Sequence, residues 1–228
     1  MDDGREAAKR HAGESAADAV EDGMVVGLGT GSTAAHAIRA LGRRVDAGLD
    51  IEGIPTSYQT RERAREAGVR LTTLSAVTPD LAIDGADQVA GGNLVKGGGA
   101  AHSREKLVDA AADRLLVVAD PSKLADRLDH PVPVAVLPDA HRPVAAAVRE
   151  QGGEPELRRA ERKDGPVVTD EGHLVLDCDF GVIEDPAARA RALATVPGIV
   201  EHGLFVGLAD EIHVGDEDGV TVHTVATE

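Results

Sequence analysis

The chain has 228 residues, 42% of them apolar, and its 24 basic and 40 acidic side chains give a formal charge of −16. That length suits one large domain, or one domain carrying a smaller one. So acidic a surface repels nucleic acid and anionic membranes. With one Tyr, two Phe and no Trp, the chain also lacks the rings on which bases stack. We therefore expect no nucleic-acid partner and no membrane partner.

The acidic residues are spread along the chain, and lysine is scarce beside arginine. This composition favours a protein adapted to high salt, where screening weakens self-repulsion, over an ordinary acidic protein. The single cysteine, Cys178, excludes an intrachain disulfide. The N-terminal MDDGREAAKR is unlike a secretory signal, and no apolar run approaches ~18 residues. We expect a soluble, cytoplasmic protein.

The first half of the chain alternates between predicted helices and strands. A helix over residues 5–20 places Ala8, Ala12, Ala16 and Val20 on one face. The elements that follow are strand 24–26, glycine-rich turn 27–33, helix 34–41, strand 49–54, a helix capped by Thr56 or Ser57 and running to Ala67, strands 69–74 and 81–83, a turn-rich segment 84–93, a helix from the triple glycine to about Ala112, and strand 115–119. This alternation predicts an α/β fold with a doubly wound, Rossmann-like parallel sheet, which binds ligands at the carboxyl ends of its strands.

The pattern changes near His130, where HPVPVAVLPDAHRP is rich in proline. Short strands follow at 132–137, 156–159, 166–169 and 173–177, with a hairpin turn at 169–173, a helix at 186–193 capped by Asp185, strands through Val206 and at 211–214, and a last hairpin in GDEDGV. The final strands can rejoin the first sheet. We therefore predict a Rossmann-like catalytic domain of residues 1–129 and 199–228, and a second, smaller α+β domain of residues 130–198.

The turn GLGTGST, from Gly27 to Thr33, combines glycine amides, the hydroxyls of Ser32 and Thr33, and the start of a helix. Such groups favour an anion such as phosphate. The turn is not a P-loop, which ends in Gly-Lys-Ser/Thr, and its third glycine comes one residue early for G-x-G-x-x-G. A tight strand-to-helix turn without a ligand is the alternative.

A second group of polar residues extends from Asp84 to Glu105. Asp84 and Asp87 flank a turn after a buried strand, Lys96 precedes Gly97–Gly99, and Glu105 lies in the first turn of a helix. A lysine and glycine N–H groups can stabilise an oxyanion. Each residue has a structural alternative, since Asp suits turns, Lys suits solvated loops and Glu suits helix starts. The presence of all four residues in one short segment favours a reaction centre over these structural alternatives.

Two further lysines are candidates for an anion site, and nothing predicts a metal site. Lys9 and Lys123 stand out because a chain that prefers arginine keeps lysine where a compact charge is useful, although solubility is the alternative. The histidines are scattered, and one cysteine does not suffice for a structural zinc site.

Together these segments resemble the A-type ribose-5-phosphate isomerase family. The matching pieces are GLGTGSTAAHAI, DLAIDGADQV, LVKGGGAAHSREKL and VADPSKLADRL, with weaker matches in TDEGHLVLD and VPGIVEHGLF. They follow one another from Lys9 to the C-terminal hairpin. The resemblance implies reversible conversion of ribose 5-phosphate to ribulose 5-phosphate in the non-oxidative pentose phosphate pathway, no metal, no organic cofactor, and a homodimer or homotetramer.

The resemblance also implies a role for each candidate residue. Glu105 would be the general base, Lys96 would stabilise the enediolate oxygen, and Asp84 and Asp87 would bind sugar hydroxyls and assist ring opening. The substrate-binding set would add Thr30, Gly31, Ser32, Thr33, Lys9 and Lys123 for the phosphate, and Gly97, Gly98 and Gly99 for the enediolate oxygen. The chain departs from the family at Gln88, where an acidic residue is common, and in a segment one residue shorter between Asp87 and Lys96.

Two other functions compete with this one. An amino-sugar phosphate deaminase-like enzyme would also use a glycine-rich phosphate turn, but it needs its own base and amine-handling residues, and that pattern is missing. A non-catalytic phosphosugar sensor joined to a DNA-binding domain would need a helix-turn-helix and a basic face. The chain has neither the room for the first nor the charge for the second.

Overall fold

The computed structural model describes residues 2–225; Met1 and residues 226–228, the outer ends of the larger predicted domain, lie outside the described residues. The helices in this range are α1 (Asp2–Asp18), α2 (Ser32–Asp46), α3 (Tyr58–Glu66), α4 (His102–Ala111), α5 (His141–Glu150) and α6 (Pro186–Ala194). None of the helices within residues 2–225 is long and apolar enough to cross a membrane.

The strands alternate with these helices in the first half of the chain and dominate the second half. They are β1 (Val25–Leu28), β2 (Glu52–Pro55), β3 (Arg70–Leu71), β4 (Leu81–Gly85), β5 (Gln88–Ala90), β6 (Asn93–Val95), β7 (Leu115–Ala119), β8 (Val132–Val136), β9 (Glu154–Leu157), β10 (Leu174–Asp179), β11 (Ile199–His202), β12 (Leu204–Phe205), β13 (Glu211–Gly215) and β14 (Val220–Thr224).

The first compact unit contains residues 2–86, 104–124 and 207–225. Its seven-stranded sheet has the order β14-β13-β7-β4-β1-β2-β3 and is parallel except for β14, which runs antiparallel to β13. The chain builds outward from β1 through β2 to β3, then restarts on the other side of β1 with β4. The gap between β1 and β4 is therefore the topological switch point, where sheets of this kind bind ligands.

Aliphatic side chains alone fill the core of this first unit. Its buried cluster joins α1 and α2 to the sheet and contains only Ala, Val, Leu and Ile. The predicted buried face of the first helix is confirmed for Ala8, Ala12 and Ala16, whereas Val20, also buried, lies beyond the end of α1 at Asp18. Burying an aliphatic side chain of Val or Leu size contributes about 1.5–3 kcal/mol, so a core without aromatic rings is sufficient.

The second compact unit contains Asp87–Ser103 and Ala125–Val206. It holds a four-stranded sheet of order β11-β8-β10-β9, antiparallel throughout, and a three-stranded sheet of order β12-β6-β5. Cys178 on β10 is completely buried in its apolar core. The α/β class, with a large parallel sheet and a smaller α+β part, is thereby confirmed. The predicted domain bounds, 1–129 with 199–228 for the larger domain and 130–198 for the smaller, stay a prediction.

Several local predictions were wrong. The segment predicted as a turn-rich stretch forms the hairpin β5–β6, whose strands are only three residues long each. Residues 166–169 form isolated bridges rather than a strand, since they pair only through Pro166 and Val168. Helix α5 was missed, because a proline-rich stretch suggested a boundary. Proline suits the first turn of a helix, and Val144 and Val148 bury one face of α5.

Candidate active site

The glycine turn lies directly against Asp84 at the switch point of the first unit. The Gly29 N–H donates to the carbonyl of Ile83 at 2.9 Å, and the Thr30 N–H donates to Asp84 Oδ1 at 3.2 Å. A Cβ added to Gly29 would stand 2.2 Å from the Asp84 carboxyl and 2.6 Å from its Cα. Only glycine permits this approach, which places a carboxylate that is 1% exposed beside the turn.

The Thr30 side chain stabilises the glycine turn through hydrogen bonds to three other side chains. Its hydroxyl lies 2.9 Å from Thr56 Oγ1, 2.8 Å from Ser57 Oγ and 3.0 Å from Thr60 Oγ1. Ser57 also caps α3, as predicted, by accepting from the Thr60 N–H. Since its hydroxyl and its N–H are both engaged, Thr30 sets the shape of the turn. Direct contact between Thr30 and substrate stays a prediction.

Helix α2 begins without a side-chain cap. Gly31 precedes it with φ 134° and offers no capping group, while Ser32 is exposed and Thr33 half-buried. Arg63 Nη1 donates a hydrogen bond to the Gly31 carbonyl at 3.2 Å. A helix start with open N–H groups and two hydroxyls attracts an anion. The prediction of a phosphate site at Gly31–Thr33 is consistent with this geometry but is not tested by it.

A second turn of the same unit carries Lys123. Asp120 is buried at the end of β7, and it accepts from the Ser122 N–H at 3.0 Å and from Arg5 Nε at 3.4 Å. Burial acts to raise the pKa of Asp120, but these hydrogen bonds and the Arg5 charge outweigh it and hold the pKa below its usual value. Arg5 therefore ties α1 to this turn. Lys9 follows Arg5 by one turn of α1.

Glu105 lies at the same edge of the sheet, in the first turn of α4. The neighbouring Arg104 fixes this turn by donating to the carbonyl of Pro55, the last residue of β2, at 3.0 Å. Val108 packs beside Gly27 of β1, where an added Cβ would be 2.7 Å from its Cγ1. Because α4 runs back between two parallel strands, its start lies at their carboxyl ends. The carboxylate side chain of Glu105 is only 4% exposed there.

In the second unit, Lys96 leads into the triple-glycine loop. Lys96 is 2% exposed, its N–H donates to the Gly203 carbonyl at 2.8 Å, and its Nζ lies 5.3 Å from the centre of the Phe205 ring. Gly97 takes φ 107°, and Ala100, which closes a turn onto the Gly97 carbonyl at 2.9 Å, has φ 58°. A left-handed alanine is strained, and such strain concentrates at functional loops.

Asp87 holds the other side of this loop. Its Oδ2 accepts from the Gly98 N–H at 2.7 Å, and its own N–H donates to the Val95 carbonyl at 2.8 Å. Next to it, the Gln88 carboxamide accepts from the N–H groups of Asp129 and His130, each at 2.9 Å. The Gln88 amide nitrogen also donates to Asp129 Oδ1 at 2.5 Å, a bond that a carboxylate could not make, so the departure at Gln88 adds a donor to this anchor.

Sequence reasoning missed Arg158, which contacts the loop, and Asp177, which holds Arg158. Arg158 Nη1 donates to the carbonyls of Gly97 at 2.8 Å and Gly98 at 3.1 Å. Asp177 holds the same guanidinium by accepting from its Nε at 2.8 Å and from its Nη2. No sequence signal could have found this pair, because Arg158 lies 61 residues from Gly97 along the chain.

The first unit thus collects Asp84, Glu105 and an open helix start, and the second collects Asp87, Lys96 and the glycine loop. Within residues 2–225, no group of three or more His, Cys, Asp and Glu side chains could hold a metal ion. A switch point with a buried carboxylate beside an uncapped helix start is typical of one class, the α/β enzymes that act on phosphorylated metabolites.

Comparisons with known proteins identify the family within this class. The model of the family ribose 5-phosphate isomerase A (phosphoriboisomerase A) matches residues 52–219. Ribose-5-phosphate isomerase A of Haloarcula marismortui is 69% identical over 223 residues, covering 98% of each chain. The chain therefore belongs to the ribose 5-phosphate isomerase A family. That relative comes from a halophilic organism, which agrees with the interpretation of the acidic composition.

Solved structures agree in fold. Ribose 5-phosphate isomerase A of Methanocaldococcus jannaschii is 42% identical, with a TM-score of 0.91 over 95% of this chain and 97% of that one. A D-ribose-5-phosphate isomerase in complex with phospho-erythronic acid is 40% identical, with a TM-score of 0.92 and the same coverage of both chains.

Proposed function

We propose that this protein interconverts ribose 5-phosphate and ribulose 5-phosphate through an enediolate, in the non-oxidative pentose phosphate pathway. The observation that carries the proposal is the 69% identity, over nearly the whole of both chains, to a ribose-5-phosphate isomerase A. The described residues that support it are a buried carboxylate, a buried lysine and an uncapped helix start.

Glu105 is the base in this proposal. It takes the proton from C2 of the open-chain aldose, the C2–H electron pair forms the C1–C2 double bond, and the C1 carbonyl electrons move onto O1. Glu105 then returns the proton to C1, the O2–H electrons form the C2 carbonyl, and the O2 proton passes to O1, which gives the ketose. Burial keeps water from competing for the proton, and general-base catalysis contributes about 10²–10⁴-fold.

Lys96 stabilises the negative oxygen that forms. The low exposure of the lysine strengthens that interaction because water screens it little. In the loop Gly97–Gly99, the Gly98 N–H binds Asp87, and the N–H groups of Gly97 and Gly99 add hydrogen bonds to this oxygen. Asp84 and Asp87 bind sugar hydroxyls and assist ring opening, which requires proton transfer between the ring oxygen and the anomeric hydroxyl.

The phosphate group of the substrate binds at the uncapped start of α2, through Ser32 and Thr33, and is also bound by Lys9 and Lys123. A related isomerase binds phospho-erythronic acid, whose planar carboxylate resembles the enediolate and which carries a phosphate like that of the substrate. The reaction needs no metal and no organic cofactor. We further propose a cytoplasmic homodimer or homotetramer, which light scattering after size exclusion would distinguish.

The direct test is to incubate the purified protein with ribose 5-phosphate and a chelator, at low and at high KCl, and to measure ketopentose. Product in at least one salt condition supports the proposal. Absence of product at every salt concentration would refute it, and activity that a divalent ion restores after chelation would refute the metal-free reaction. Phospho-erythronic acid should compete with the substrate.

A further inference from the structure

We infer that Arg158, held by Asp177, is the positioning residue that directs two N–H groups of the glycine loop, that of Gly98 to Asp87 and that of Gly99 to the reacting oxygen. This inference rests on the proposed function, in which that loop stabilises the enediolate. All residues involved lie in the second unit.

The geometry follows from the planarity of the peptide bond. In a trans peptide the C=O and the N–H point in opposite directions. Arg158 Nη1 binds the carbonyl of Gly97 at 2.8 Å and that of Gly98 at 3.1 Å. The N–H groups of Gly98 and Gly99, which share these two peptide planes, must therefore point away from the guanidinium.

The opposite side of the loop confirms this orientation. The Gly98 N–H, forced away from Arg158, donates to Asp87 Oδ2 at 2.7 Å. The next N–H, that of Gly99, belongs to an exposed residue and turns to the same side by the same argument. One side chain therefore sets the direction of two successive donors, one on a substrate-binding carboxylate and one available to substrate.

The loop needs such an anchor because glycine peptides rotate easily. Gly97 lies at φ 107°, which glycine adopts freely, whereas Ala100 at φ 58° is strained. Asp177 in turn fixes the guanidinium by a fork-to-fork pair, and the two side chains are 17% and 32% exposed. The planar, five-donor geometry of arginine is what allows binding of the carboxylate and both carbonyls together, and lysine cannot reproduce it.

The test compares Arg158→Ala, Arg158→Lys and Asp177→Asn with the matched control Arg159→Ala, which removes an exposed arginine one residue away. We expect Arg158→Ala to lower kcat about 10- to 100-fold with KM within about threefold, a smaller loss than the ~10²–10³-fold of deleting an oxyanion donor. Arg158→Lys should lose nearly as much, and Asp177→Asn less. Free guanidinium should restore part of the activity of Arg158→Ala alone.

Amide hydrogen exchange of Gly98, measured by NMR, tests the inference independently of turnover. Exchange should accelerate in Arg158→Ala and stay at the wild-type rate in Arg159→Ala. Unchanged Gly98 exchange in a folded Arg158→Ala protein, or a kcat within twofold of wild type, would overturn the inference. If the wild type itself fails to isomerise ribose 5-phosphate, the proposed function fails, whereas the exchange result still decides whether Arg158 positions the loop.

Discussion

The Thr30 N–H donates to Asp84 Oδ1 at 3.2 Å, which joins the turn after β1 to the end of β4 across the switch point of the large sheet. The same carboxyl oxygen accepts from the Gly85 N–H at 2.7 Å. A carboxylate held by backbone N–H groups of two neighbouring strand ends has one orientation. The glycine turn and Asp84 are therefore one structural element, although 54 residues separate them in the chain.

The close contact between the glycine turn and Asp84 leaves no room for a methyl group at Gly29. In Gly29→Ala, the new Cβ would meet Asp84 Cα at 2.6 Å, a backbone atom that cannot swing aside. We expect a loss of about 1–3 kcal/mol in the free energy of unfolding, as in other overpacked sites. Urea denaturation measures it. Gly85→Ala is the control, because its nearest neighbour would be 3.9 Å away; equal stability of the two variants would contradict the prediction.

Replacement of the proposed base should separate binding from chemistry. Glu105→Gln keeps the shape of the side chain but removes its basicity, so we expect kcat to fall about 10²–10⁴-fold. Affinity for phospho-erythronic acid, measured by calorimetry, should change little. The exposed Glu62 of α3 provides the matched control, Glu62→Gln, with wild-type turnover. Near-normal kcat in Glu105→Gln would remove Glu105 from the mechanism.

Two lysines should show opposite kinetic signatures. Lys96→Ala removes a charge that acts on the developing oxyanion, so we expect mainly a lower kcat. Lys123→Ala removes a charge that acts on the unreacting phosphate, so we expect mainly a higher KM. Steady-state kinetics at fixed high KCl makes the comparison, with the exposed Lys163→Ala as control. The reverse pattern would exchange the two roles.

His213 should make the stability of the first unit depend on pH. Burial lowers the pKa of His213 below 6.5, although Glu211, 3.3 Å away, opposes the shift; Arg114 adds to it, and Ser15 Oγ bonds the Nδ1 atom. The folded state therefore binds fewer protons than the unfolded chain. The free energy of unfolding is therefore unaffected by the protonation of His213 above pH 6.5, and it decreases as the pH falls from 6.5 through the lowered pKa. Urea midpoints between pH 8 and pH 5 should fall less in His213→Gln than in wild type; equal slopes would contradict this.

The sheet and its ligand edge were predictable because they depend on local patterns. Apolar strands of four to five residues end in GLGTGST, DGAD and ADPSK, and parallel strands bring such ends to one edge. The assignment of Asp84 as a site residue follows from that rule alone. The sequence did not predict that the Thr30 hydroxyl would bond to other protein side chains. Thr56, Ser57 and Thr60 come near it only through the pairing of β2 with β1.

The anchoring of the glycine loop could not be predicted. Arg158 and Asp177 lie 19 residues apart, beside two antiparallel strands, and read in the sequence as ordinary charges of an acidic protein. Only the pairing of β9 with β10 brings them together. Helix α5 is a different case, because Val144 and Val148 give it an apolar face that the sequence shows but that nearby prolines obscured.

Cys178, the only thiol of the chain, is buried in β10, so its reactivity can report on unfolding. Burial, with help from the neighbouring Asp177 charge, raises the pKa of this thiol to about 12. Almost no thiolate exists at neutral pH, and the apolar core excludes reagents, so alkylation must wait until the antiparallel sheet opens. The rate at which a maleimide labels the native protein therefore reports the opening of that sheet, with no engineered cysteine and no background from other sites.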